Sequence, residues 1–533
     1  MKRFKAAVLL LLLSVSTLFT ACEEISQKPL NERSTAESIS DEVDETEETV
    51  EFTEYAAEIP EITPVETSLT VEAEDCKLNG NLEVADKRKG YSGNGYVTGF
   101  MGEEADYLLI PVDLPASQHY DITVCVAADT EVINNVLVND NDIGTFIIEG
   151  DGKKFDTVTF YGVYMDEGKS VIQIYKGNNE FDIDYIKVSN NSDVYEDELE
   201  ITADPVSEKS SYEARDVLRY FKENLGENII TGQYVSSNKN KEMEYIHEKT
   251  GQYPVIRFSD IGGYGESKPP LESEIKAARE WDEKGGIVGF MWHWNSPAED
   301  SSVYAIDTKF DLEEAVTDED IALLGISEIQ DLCRQGNISS ECLALIEDID
   351  AVSAGLMQLC EDGIPVLWRP LHEAGNNLYW WSAYGEDAYI WLYELMFERM
   401  TKYHELDNLI WIWNGQNEDY LVDEDKYDIA AINIYLNPNT YFGSRSEQYQ
   451  WIKKITENEK MIALSECSTV PGLSEMLRDN AVWTFFGLWY GEYLSRNEIN
   501  PDEIYTLESD LIRMYNAENS ITLEEYAGVY GHQ

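Results

Sequence analysis

The stretch Pro365-Val366-Leu367-Trp368-Arg369-Pro370-Leu371-His372-Glu373 decides how the second half of the chain folds. It begins as an apolar run, as a strand covered on both faces of a parallel sheet must be, and ends in groups that a core tolerates only with partners. Seven more runs share that form: Ile229–Tyr234, Pro254–Phe258, Ile287–His293, Leu409–Asn414, Ile429–Leu436, Met461–Cys467 and Val482–Trp489. Helical stretches such as Tyr212–Asn224, Ile349–Glu361 and Tyr389–Tyr403 lie between them. A doubly wound open sheet also alternates in this way. Eight strands, and the length of the segment 209–533, favour a parallel (β/α)8 barrel.

In such a barrel the active site sits at the carboxyl ends of the strands. The third run ends Trp292-His293-Trp294-Asn295, the fifth Trp411-Ile412-Trp413-Asn414, the sixth Asn433-Ile434-Tyr435, the seventh Ser465-Glu466 and the eighth Leu488-Trp489-Tyr490. A carboxylate in an apolar strand is costly unless partnered, so Glu373 and Glu466 stand apart from the other acids. For either one alone, a buried ion pair with Arg369 is the structural reading. Together, facing Trp, Tyr, His and Asn, they suit glycoside hydrolysis: one protonates the leaving oxygen and the other attacks or activates water. Retention requires carboxyl groups roughly 5 to 5.5 Å apart, and inversion a gap nearer 9 Å. No glycine-rich loop follows a strand and no Walker sequence occurs, so neither nicotinamide nor phosphate chemistry is signalled and catalysis needs no cofactor.

The first half reads differently. Residues 1–22 form an export signal: Lys2, Arg3 and Lys5 precede an apolar run from Ala6 to Leu13, too short to span a membrane. Leu18-Phe19-Thr20-Ala21-Cys22 resembles a bacterial lipoprotein box, with Phe19 where Leu is usual, so Cys22 is the expected lipidation site. The expected location is extracellular, anchored to the bacterial surface, or secreted if Cys22 is not lipidated. Residues 23–68 are rich in Glu, Asp, Ser and Thr and read as a disordered, self-repelling tether. Residues 69–190 carry short alternating runs and turn residues, the pattern of an all-β sandwich or jelly roll, and 191–208 read as a second acidic linker. Acids outnumber bases 103 to 39, which excludes nucleic acid as a partner and leaves the lipid as the one route to a membrane. The 12 Trp and 33 Tyr exceed what a core needs and offer flat faces for sugar rings. Cys333 and Cys342 are near enough in sequence to bridge, and buried thiols are an equal alternative.

Two resemblances follow from these motifs. Val71-Glu72-Ala73-Glu74-Asp75, Gly90-Tyr91-Ser92-Gly93-Asn94-Gly95-Tyr96-Val97 and Asp182-Ile183-Asp184-Tyr185-Ile186 resemble carbohydrate-binding module family 35, which implies Glu72, Glu74 and Asp184 as ligands of a structural calcium ion. Arg369-Pro370-Leu371-His372-Glu373, Trp292-His293-Trp294-Asn295 and Leu464-Ser465-Glu466 resemble glycoside hydrolase family 26. That resemblance implies a retaining endo-β-1,4-mannanase acting on β-mannan, glucomannan or galactomannan, with Glu373 as acid/base and Glu466 as nucleophile. It also implies substrate contacts from His293, Trp294, Arg369, His372, Trp380 and Tyr435, and a stacking platform at Trp489. Leu378 departs from it, since an aromatic is expected there. A β-1,3(4)-glucanase or β-1,3-xylanase on the same barrel is the enzymatic alternative, and a non-catalytic surface glycan-binding lipoprotein the alternative of another class.

Overall fold

The computed structural model describes residues 62–100, 105–148, 150, 152, 154–196, 201–262, 271–495 and 499–530. The export signal, Cys22 and nearly all of the acidic leader lie outside them. Among the described residues, eight parallel strands close into a barrel: β1 (Gly232–Tyr234), β2 (Ile256–Asp260), β3 (Ile287–Met291), β4 (Val366–Arg369), β5 (Leu409–Trp413), β6 (Ile429–Ile434), β7 (Met461–Cys467) and β8 (Phe486–Leu488). Each pairs in parallel with its neighbour, and β8 returns to β1 through Leu488 and Gln233. Side chains alternate across this wall. Leu367, Ile410, Ile412, Ala431 and Ala463 pack in one cluster with Tyr234 and Phe258, whereas Val366, Trp368, Trp411, Trp413 and Leu464 join a second cluster with residues of the surrounding helices. Tyr234 and Phe258 stack at 4.8 Å, and Gly289 makes room for them: a Cβ there would lie 2.3 Å from the Phe258 ring. The run Ile229–Tyr234 is split, because Ile229–Ile230 leaves the barrel to pair with Ser520–Ile521.

Aromatic richness proves to be mainly core. Eight of the 12 tryptophans, Trp281, Trp294, Trp368, Trp380, Trp381, Trp411, Trp413 and Trp483, are fully buried. Cys333 and Cys342 are free thiols, and burial pushes the Cys342 thiol up to about 12.

The all-β segment is a two-sheet sandwich. In one sheet Phe181–Asn190 runs between Tyr96–Thr98 and Gln118–Ala128 and also pairs with Ser68–Glu72; in the other Gly168–Tyr175 runs between Tyr107–Leu114 and Val132–Val138. The connector after it is less linker-like than its acidity suggests. Asp193–Glu196 form a helical turn, Val194 and Ile201 are buried, and the Val206 N–H donates to Asp428 (2.7 Å). Its few apolar residues give it something to bury, so it docks.

Sandwich and barrel pack as one unit. Asp479, on the barrel, receives His119 Nε2 at 3.1 Å, both Arg478 nitrogens at 2.6 and 2.9 Å, and Ser444 Oγ. Burial pushes the Asp479 carboxyl up, but His119 and Arg478 outweigh it and hold the group below the usual carboxylate range. Arg478 lies over the Tyr164 ring at 3.8 Å, Ser446 Oγ donates to the Gly162 carbonyl (2.8 Å), and Asn480 donates to the Val194 carbonyl (2.7 Å). Removing Asp479 strands buried donors from both sides of the seam. Asp479→Ala therefore lowers the stability of the full chain by about 3–5 kcal/mol in urea unfolding, and a loss under about 1 kcal/mol would contradict a clamp of this kind.

Candidate active site

The strand ends do not continue the alternation of the barrel wall. On β7, Ile462 and Leu464 face the helices while Met461 and Ala463 face inward, so strict alternation sends Ser465 inward and Glu466 outward. A bulge prevents this: Ile432 pairs with Leu464, but Asn433 pairs with Glu466, leaving Ser465 as an extra residue. Glu466 is thereby aimed at the barrel mouth, a use to which bulges beside active sites are suited. At the end of β4 the device is backbone bending. Leu371 (φ 49°) and Glu373 (φ 55°) are both left-handed, a costly state for residues with side chains and one that clusters at functional sites. The bend brings His372 and Glu373 to the same mouth, although neighbours on a regular strand point apart.

Glu466 is buried and paired. Arg369 Nη2 donates to its Oε1, and the Tyr435 hydroxyl donates to its Oε2 (2.6 Å). Arg369 is itself braced by donating to Asn414 Oδ1 (2.8 Å) and to the Tyr234 hydroxyl (2.9 Å). Among the described residues, no Lys or Arg forms an ion pair with Glu373. Its Oε1 accepts from Asn433 Nδ2 (2.8 Å), its Oε2 from Asn376 (3.3 Å), and Asn433 Oδ1 in turn accepts from Ser465 Oγ (2.7 Å), which links the two glutamates through β6. Burial, and then the negative charge of Glu466, push the Glu373 carboxyl above its ordinary range. Beside them His372 Nε2 meets His293 Nε2 at 3.2 Å, and His293 Nδ1 lies 3.3 Å from Asp260 at the end of β2. Burial, with the charges of His293 and Arg369, holds His372 well below the usual imidazole range, which favours its neutral form.

The sites named from sequence thus divide. Glu373, Glu466 and Tyr435 share a hydrogen-bonded network through Asn433, Gln416, Asn414 and Arg369, His293 and His372 pair with each other beside it, and half-buried Trp489 lies 6.5 Å from the Tyr435 ring. Trp294, Arg369 and Trp380 are at most 2% exposed, as is His372. Trp294 follows inward-facing His293 and so points to the helices, where its Nε1 donates to Asp348 (2.8 Å), and Trp380 donates to the Trp294 carbonyl (2.6 Å). They support the wall, and Arg369 supports Glu466. Leu378 is 43% exposed. Asp260, Asn414 and Asn433 join the site without having been singled out as contacts, although Asn414 and Asn433 occupy the strand ends where polar groups were expected. Asp260 lay beyond the run ending at Phe258.

In the sandwich, Glu72, Glu74 and Asp184 converge on the loop Gly90–Gly95. Ser92 N–H donates to both Asp184 oxygens (2.9 and 3.0 Å), Ser92 Oγ to Glu72 (2.6 Å), and Asn94 N–H to Glu74 Oε1 (2.6 Å). These donors are hard oxygens of the type calcium takes, and Glu74 Oε2 is buried without a hydrogen bond. Among the described residues, no three acidic, His or Cys side chains stand at ligating spacing.

The Asn433 hydrogen bond favours ionised Glu373. Its removal raises the carboxyl further, so Asn433→Ala moves the alkaline limb of the kcat/KM profile to higher pH; movement to lower pH would show that Glu373 does not govern that limb.

The family model for glycosyl hydrolase family 26 matches residues 206–523, and that for carbohydrate binding module family 35 matches residues 69–191. A mannan endo-1,4-beta-mannosidase of Thermothelomyces thermophilus is 29% identical over 482 residues, 88% of this chain and 92% of that protein. Mannan endo-1,4-beta-mannosidase A of a Piromyces species is 28% identical over 456 residues, 83% of this chain and 71% of its own length. The crystal structure of a Podospora anserina GH26-CBM35 β-(1,4)-mannanase has a TM-score of 0.55 at 28% identity, covering 87% of this chain and 99% of that one. A ruminal GH26 endo-β-1,4-mannanase has a TM-score of 0.60 at 21% identity, covering 88% and 99%, a likeness of fold. With the paired glutamates at the ends of β4 and β7, these matches mean that the chain is a glycoside hydrolase and belongs to glycosyl hydrolase family 26, with a family 35 module preceding the barrel.

Proposed function

We propose that the protein is a retaining endo-β-1,4-mannanase. The observation that carries the mechanism is the unequal environment of two neighbouring carboxyl groups: Glu466 is buried against Arg369 and Tyr435, whereas Glu373 is pushed toward its protonated form. Such a split assigns the roles of base-like nucleophile and acid. Glu466 attacks the anomeric carbon as Glu373 transfers its proton to the departing glycosidic oxygen, and an ester joins the sugar to Glu466. Ester formation removes the charge that had raised Glu373, so Glu373 becomes able to take a proton from water. That water displaces Glu466 and restores both groups. His293 and His372, kept in line by Asp260, hold the sugar at the mouth, and Trp489 presents a half-buried face to it. A mannan backbone is the substrate that the relatives' names support.

Digestion of mannan, lichenan and xylan side by side tests the substrate, with mannan hydrolysed fastest in the interior of the chain. Faster hydrolysis of lichenan would favour the β-1,3(4)-glucanase reading. Glu373→Ala is expected to slow polysaccharide hydrolysis by about 10²–10⁴-fold and to spare aryl mannosides with good leaving groups, which need little protonation. Equal losses on both would reassign the acid.

Two further readings belong here. The sandwich binds calcium through Glu72, Glu74 and Asp184, supported by their convergence and by the undonated Glu74 oxygen. The full chain should then melt at lower temperature with a chelator, and indifference to calcium would remove the assignment. Lipidation at Cys22 anchors the chain outside the cell, supported by the box that precedes that cysteine. Among the described residues no helix is long and apolar enough to cross a membrane. Radiolabelled palmitate incorporated by the native chain and not by Cys22→Ala is the expected result, and equal labelling would refute it.

A further inference from the structure

A cavity of about 550 Å³ lies in the seam between sandwich and barrel, a size common among small-molecule sites. Asn139, Asp142 and Asp166 wall it on the sandwich side, and Tyr441, Arg445 and Glu475 on the barrel side. The barrel residues belong to the segments following β6 and β7, so the cavity opens at the same end of the barrel as Glu373 and Glu466. Tyr441 and the catalytic-site residue Tyr435 share one loop, and the chain between them reaches at most ~20 Å.

Several of the charged groups around the cavity are already engaged. Arg445 donates to the Asp142 carbonyl (2.7 Å) and stands 3.8 Å from Glu447, and the Asp142 carboxylate accepts from Asn135 (2.6 Å) and the Gly144 N–H (2.8 Å). An ionic ligand gains little from such a wall. Two features remain to be satisfied. Arg445 is 7% exposed, and its Nε is buried without a hydrogen-bond partner. Tyr441 is 53% exposed, and its hydroxyl donates to Glu475 (2.8 Å), which fixes the ring in orientation. A held aromatic face beside an undonated N–H and hydrogen-bonding carboxylates matches a neutral, hydroxyl-rich ligand whose C–H face stacks and whose hydroxyls bridge polar groups. Arg445 has left-handed backbone (φ 54°), a strained state for a residue that places this donor.

We propose that this seam is a second oligosaccharide site, holding a β-mannan segment beyond the catalytic cleft with Tyr441 as its platform and Arg445 Nε as a donor. The proposal rests on the mannanase reading. The full chain carrying Tyr441→Ala is compared with the unaltered chain on polymeric mannan and on an aryl mannobioside too short to reach the seam. The expected result is a KM on polymer raised about tenfold with kcat nearly unchanged, unaltered kinetics on the short substrate, and an unaltered melting temperature. Tyr441→Phe, which keeps the ring, should retain most of the polymer affinity. An unchanged KM on polymer, or equal losses on both substrates, overturns the seam site while leaving the mannanase reading intact. Absence of mannan hydrolysis by the unaltered chain overturns both.

Discussion

Everything at the barrel mouth depends on the buried contact between Arg369 and Glu466. A carboxylate taken out of water is costly, and an arginine alone beside it offsets that cost only when its remaining N–H groups also find acceptors. Here Nη1 and Nη2 reach Asn414 and Tyr234 while Nε is buried without an acceptor, so the cation is braced from two other strand ends and fixes Glu466 in place. Burial, and then the negative charge of Glu466, push the Glu373 carboxyl above its ordinary range. Two chemically identical side chains thereby acquire unequal surroundings, the difference on which the proposed roles of nucleophile and acid rest.

The backbone makes this possible by departing from regular barrel geometry at two strand ends. Without the extra residue at Ser465, Glu466 would be carried to the helix side of the wall; without the left-handed residues Leu371 and Glu373, His372 and Glu373 would diverge. Each departure sacrifices some local stability, and the packing beneath sustains it. The Trp294–Trp380 contact and the fully buried tryptophans belong to that support. They explain why so aromatic a chain presents so little aromatic surface at its site.

The barrel was legible because its strands are continuous apolar runs ending in polar groups, and because runs such as Leu409–Trp413 are too short and too β-branched and aromatic for helices. The two glutamates were legible because carboxylates are rare in that setting. Less could be read of direction. Trp294 and Trp380 look like sugar platforms in one dimension, but alternation at the end of β3 turns Trp294 outward to the helices, and Trp380, in the segment after β4, packs there by donating to the Trp294 carbonyl. The bulge leaves no mark in Leu464-Ser465-Glu466, since pairing partners set it. Asp260 went unnoticed because its run seemed to end two residues earlier, and the connector's acidity hid Val194 and Ile201, which fasten the sandwich to the barrel.

The central claim is that Glu466 forms a covalent bond to the sugar. A 2-deoxy-2-fluoro mannosyl fluoride slows release from such an ester, so peptide mass spectrometry of the inactivated protein reads the attachment site directly. The account predicts one sugar on the peptide containing Glu466, and none when Arg369→Ala removes the cation that orients it. A label on Glu373, or no label from a chain that hydrolyses mannan with inversion, would contradict it.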